Sequence, residues 1–179
     1  VDKLDPQSGT SLEIGSSGDT ITIPSGATIT NSGTATGFGE ANTPSFRANP
    51  ASGTTVANDT ATKIAYTTEV YDTDSAYDAS NSKFVVPSGK AGRYFFVAML
   101  EYNITTATTS ARVQIRKNGS IALAKAGYNS YYDNNLVCGV LNLVAGDYIE
   151  VYGYHNSGGS QATQTGTAST YFAGFKVDG

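Results

Sequence analysis

The residue types able to do chemistry are few. His155 is the only histidine, and histidine is the side chain best placed to move a proton near neutral pH. It stands before Asn156-Ser157-Gly158-Gly159, a loop composition. A Ser/His/acid set would need a serine and a carboxylate held against it, and nothing in the sequence singles them out. His155 therefore reads as a surface or ligand-contacting residue. One cysteine and one histidine leave no zinc ligand set of the usual kind. Asp72, Asp74 and Asp78 place carboxylates at the short spacing that suits calcium. The run lacks the central glycine and downstream glutamate of an EF-hand loop, and aspartate is common in turns. No carboxylate pair marks a glycosidase. The expectation is a protein that is not an enzyme and holds no cofactor and no metal.

Binding chemistry is better represented. Tyr128-Asn129-Ser130-Tyr131-Tyr132-Asp133-Asn134-Asn135 combines rigid aromatic rings with amides and hydroxyls. That mixture gives contact area and adaptable hydrogen bonds at low entropic cost, and it suits a sugar face. Tyr128, Asn129, Tyr131, Tyr132 and Asn134 are candidate ligand contacts; the alternative is that Tyr131 and Tyr132 pack beneath their own loop. The polar stretch from His155 to Gln164 adds His155 and Asn156.

Two long β-forming stretches must position these loops: Lys83 to Asn103 and Gly139 to Tyr154, each cut in two by a Pro- or Gly-containing turn. From Gly92 the chain alternates, with Tyr94, Phe96, Ala98 and Leu100 on one side and Phe95, Val97, Met99 and Glu101 on the other. Both sets are largely apolar, so this strand should be covered on both faces, by a second layer or by a partner subunit. Further strands are expected at about 45–48, 62–66, 83–86, 111–116, 121–125, 135–143, 148–154 and 170–177. Asn118-Gly119 supplies a hairpin signal, because both residues tolerate positive φ. Thr, Val, Ile and aromatics dominate the ordered runs and helical periodicity is missing, so the chain is all-β, a sandwich or jelly roll. Cys138 lies in an apolar strand and reads as a small core residue; alone, it excludes an intrachain disulfide.

The net charge is −4 and the 11 basic residues are scattered, which argues against nucleic acid as a partner. No apolar run is long enough to enter a membrane and no signal peptide is evident. A chain beginning at Val1 fits a processed product or the C-terminal piece of a longer polypeptide.

Residues 1–43 differ from the rest. Short alternating runs (Leu12-Glu13-Ile14, Thr20-Ile21-Thr22-Ile23, Ala27-Thr28-Ile29-Thr30) are punctuated by Gly, Ser, Asp or Pro. Their apolar residues are too sparse to bury a core within one chain. They read either as a disordered linker or as a fibre shaft in which several identical chains share Ile and Leu side chains across an axis. The second domain is expected over 44–179.

Five pieces of that second domain occur in the order of one family. These are PSFRA at 44–48; VYDTDSAYD at 70–78 with KFVVPSGKAGRYFF at 83–96; VQIRKNG at 113–119; LNLVAGDYIEV at 141–151; and STYFAGFKV at 169–177. Together they resemble the C1q/TNF-like jelly roll, with small departures in spacing. The resemblance implies a homotrimer in which three jelly rolls pack around a three-fold axis. Tyr94, Phe96, Tyr152, Tyr154 and Phe172 are the candidates for the intersubunit contact or the core beside it. The N-terminal GDTITIPSGATI resembles the stalks of bacteriophage tail and head fibres, many of which end in trimeric knobs. Trp and a collagen stem are both missing, which disfavours an animal complement-like role.

The expected function is therefore a trimeric virion fibre tip that attaches to a bacterial cell-surface polysaccharide or protein, with the N-terminus joined to other virion proteins. A capsid-decorating or fibre-capping structural domain is the alternative, and a secreted bacterial or spore-surface C1q-like adhesin is a further one.

Overall fold

The computed structural model describes residues 9–33, 42–103, 110–127 and 134–177. Backbone contacts divide the chain into two units, Val1–Phe38 and Gly39–Gly179.

Among the described residues of the first unit there is no strand. The expected short β runs form no ladder within one chain, because a lone alternating segment has no partner for its backbone groups. The segment is nevertheless regular. Ser-Gly pairs recur at 8–9, 17–18, 25–26 and 32–33. Leu12, Ile21 and Ile29 each follow one of these glycines by three residues, and Ile14 and Ile23 by five. Asp19 N–H donates to the Ser16 carbonyl at 3.0 Å and Ala27 N–H to the Pro24 carbonyl at 3.1 Å. Gly18 and Gly26 occupy the positive-φ position of these equivalent turns, which only glycine fills without strain. All five apolar side chains are exposed.

The second unit is a sandwich. Its strands are β1 (Ser45–Asn49), β2 (Thr55–Val56), β3 (Thr62–Lys63), β4 (Thr68–Asp72), β5 (Tyr77–Asp78), β6 (Lys83–Val85), β7 (Gly92–Glu101), β8 (Ala111–Lys117), β9 (Ser120–Gly127), β10 (Asn134–Leu143), β11 (Tyr148–His155), β12 (Gln161–Ala162) and β13 (Tyr171–Lys176). One sheet runs β10-β7-β13-β1-β4, the other β5-β6-β11-β8-β9, with β3 extending the second along β11 and β12 pairing β2 separately. The pairings are antiparallel. Sequence reading located the longer strands but missed β2, β4, β5 and β12, which are short or carry too few apolar residues to alternate visibly.

The two organising stretches are the corners where the chain changes sheet. β6 leads through Pro87-Ser88-Gly89 into β7, and β10 through Ala145-Gly146-Asp147 into β11. The corners are bonded to one another: Val86 N–H donates to the Asp147 carbonyl and Gly146 N–H to the Val86 carbonyl, both at 2.9 Å. At the β8–β9 hairpin Asn118 and Gly119 have φ of 50° and 81°, the two positive values that a two-residue loop of this twist needs.

Rings fill the space between the sheets. Phe46 stacks on Tyr77 at 4.9 Å and on Phe84 at 5.1 Å, and meets Phe172 edge-on at 4.9 Å. Phe96 and Tyr94 complete the cluster, and all but Tyr77 are wholly buried. Such offset and edge-to-face pairs add to the area term that drives the collapse.

Candidate functional site

β7 buries Tyr94, Phe96, Ala98 and Leu100, so its other side chains point away from the sandwich. Register then builds the outer face of the first sheet in rows. Leu136, Met99 and Tyr171 form one row; Cys138, Val97 and Ala173 the next; Val140, Phe95 and Phe175 the third. Phe95 and Phe175 lie 5.5 Å apart, ring to ring. Val140 is 53% exposed, Phe175 38% and Leu136 36%, and Cys138 is exposed too. Arg47, at the edge of this patch, lies over the Tyr171 ring at 4.5 Å and donates from Nη2 to the Thr167 carbonyl at 2.7 Å. The result is a contiguous apolar face of nine side chains, with no covering layer among the described residues of the second unit.

This face corrects several expectations. Tyr94, Phe96 and Phe172 belong to the core of the single chain, since their side chains are already covered by its own two sheets. That is the core alternative of the expectation; their strand neighbours Phe95, Val97, Tyr171 and Ala173 carry the outer face instead. Cys138 is exposed rather than a core residue, because its register partner Val97 points outward. Tyr152 and Tyr154 are half-buried on the outer face of the opposite sheet. There Arg116 lies over Tyr152 at 3.9 Å and Arg112 over Tyr154 at 5.0 Å. The Tyr154 hydroxyl donates to Asp59 at 2.9 Å, and the carboxylate on that bond raises its pKa.

His155 is not a surface residue. It is wholly buried at the end of β11, with Nε2 2.9 Å from the Val56 carbonyl, Nδ1 3.1 Å from Ser157 Oγ, and the ring edge-on to Tyr102. The Gly-Ser loop after it hid this, since burial comes from Val56 in β2 and Tyr102 just after β7, far away in sequence. Asn156 sits beside it, its Oδ1 accepting from Ser110 N–H at 2.8 Å. Tyr128, Asn129, Tyr131 and Tyr132 lie outside the described residues, and Asn134 opens β10 opposite Glu101.

Asp72, Asp74 and Asp78 do not converge. Asp72 accepts from Tyr77 N–H at 2.8 Å, Asp74 from the Thr73 hydroxyl at 2.7 Å, and Asp78 from Asn81 N–H and Nδ2 at 3.0 and 2.7 Å. Asp72 and Asp78 shape their own turns while Asp74 also faces Lys90 Nζ at 3.8 Å, and the Asn81 bonds hold Asp78 below the usual carboxylate range.

The fold has solved counterparts. The globular domain of zebrafish complement 1qA aligns with 75% of this chain and 97% of its own, at TM-score 0.53 and 16% identity. Murine APRIL at pH 5.0 aligns with 74% of this chain and 98% of its own, at TM-score 0.59 and 16% identity. The second unit thus has the C1q/TNF-like jelly-roll fold. No family model matches the chain, and no curated protein matches it.

Proposed function

We propose that the protein is a non-enzymatic homotrimeric virion fibre tip that attaches to a bacterial surface glycan. The observation that carries the trimer is the uncovered apolar face Leu136–Val140, Phe95–Met99 and Tyr171–Phe175. A face of that composition resembles the buried centre of a subunit interface, and packing of three copies about an axis would cover it. The Ser-Gly repeat of residues 8–33 supports the shaft, because its exposed Leu and Ile side chains recur at fixed offsets from the glycines and could be shared between identical segments. Three copies of a weak site then bind a repetitive surface with avidity.

Light scattering on dilute protein, paired with fluorescent labelling of a panel of bacteria, tests the reading. It expects the mass of three chains and strain-selective labelling that free polysaccharide competes away. A single-chain mass contradicts the assembly; a clean trimer that labels no strain, the panel including a host, contradicts attachment and favours the structural role.

A further inference from the structure

Between the 63–67 segment and the β5–β6 turn lies a depression of about 290 Å³. Ala65 gives it a small apolar floor over the wholly buried Ile64, and Lys63, Thr67, Ser80 and Asn81 bring polar groups to it. Its walls are fixed. The Tyr77 hydroxyl donates to the Tyr66 carbonyl at 2.8 Å, tying β5 to the facing segment. Asp78 grips Asn81 by both its backbone N–H and Nδ2, which fixes the amide's orientation and leaves one amide hydrogen to donate and Oδ1 to accept. Lys63 spends one ammonium donor on Glu150 Oε1 at 2.6 Å and keeps two. The Thr67 and Ser80 hydroxyls take no hydrogen bond among the described residues.

Held donors, acceptors and hydroxyls around a small apolar patch suit a polyhydroxylated ring with an apolar face. The volume falls at the small end of ligand sites, roughly 300 Å³ and upward, enough for one sugar unit. Beside it, Tyr152 stands opposite Lys63 in the sheet register, with its ring held under Arg116. A following sugar of the same chain would meet this ring.

We propose that this depression is a saccharide site that takes one sugar ring between Lys63, Thr67, Ser80 and Asn81. It rests on the attachment reading above and gives that reading a location independent of the Tyr-rich 128–135 loop. Saturation-transfer NMR on the full chain tests it, with galactose, N-acetylglucosamine, rhamnose and glucuronate as separate probes. At least one probe should receive transfer with millimolar affinity. Ala65→Trp, which fills the depression, should abolish the transfer, with the oligomer mass and β-sheet circular dichroism unchanged. Asn81→Ala, in an exposed turn, should weaken it roughly tenfold, the scale of one unmade hydrogen bond. No transfer from any probe, or transfer that both variants retain, overturns the proposal. Cells labelled equally by wild type and Ala65→Trp would sink the site and leave attachment standing; sugar binding lost in Ala65→Trp without cell labelling would do the reverse.

Discussion

Lys117 and Asp147 join the β8–β9 hairpin to the β10–β11 corner: Nζ lies 2.8 Å from Oδ2. Asn118 Nδ2 donates to Asp147 Oδ1 at 2.7 Å, and Val144 N–H to Oδ2 at 2.8 Å. The Lys-Asn-Gly hairpin and the Gly-Asp turn, read from sequence as separate signatures, are thus two halves of one polar clasp. These bonds, with Lys117 foremost, lower the Asp147 pKa to about 2.

An unfolded aspartate titrates near 4. Between about pH 4 and 2 the folded state therefore binds fewer protons than the unfolded one. The stabilisation is full above that window and is lost as pH falls through it. Asp147→Asn should lower the thermal midpoint at pH 6 and flatten its decline between pH 4 and 2. An unchanged acid limb in the variant would show that the clasp contributes nothing.

Val97 sits at the centre of the uncovered face, so Val97→Asp should convert a three-chain particle to single chains while the aromatic core stays folded. Burying three like charges at one axis without partners is strongly unfavourable. Sedimentation of the variant gives the answer directly, and an unchanged mass would exclude this face as the contact.

Cys138 reports on the same surface. In the assembled protein iodoacetamide should modify it slowly, and in Val97→Asp quickly, because reaction needs an accessible thiolate. Equal rates in both would place Cys138 outside the interface.

The core depends on close approach as well as bulk. A Cβ on Gly174 would come within 2.5 Å of Phe96 Cδ1 and 2.9 Å of the Phe95 carbonyl oxygen. Gly174→Ala should cost about 1–3 kcal/mol through overpacking. Phe96→Ala should cost about 3–5 kcal/mol through the cavity it leaves. Denaturant midpoints separate the two, and a Gly174→Ala protein as stable as wild type would contradict the packing described.

What the sequence revealed and what it hid follow from these same residues. Asn118-Gly119 was legible because positive φ at two successive positions is a local demand with few solutions. The alternation of β7 was legible too, and so was the apolar character of both its faces. Which set turned inward was not, since Phe95, Val97 and Met99 are as apolar as Phe96, Ala98 and Leu100. Only pairing with β10 and β13 fixes it. His155 misled because its burial depends on Val56 and Tyr102, and a loop composition cannot register contacts made at long range. The depression beside Lys63 left no motif; four polar residues from two distant segments meet there only after folding.

The central claim is assembly through the outer face of the β10-β7-β13-β1-β4 sheet. Multi-angle light scattering on the full chain at dilute concentration tests it most directly. Assembly through this face gives one species with the mass of three 18.6 kDa chains, reduced to one chain by Val97→Asp. A monodisperse single-chain mass for the wild type would contradict it.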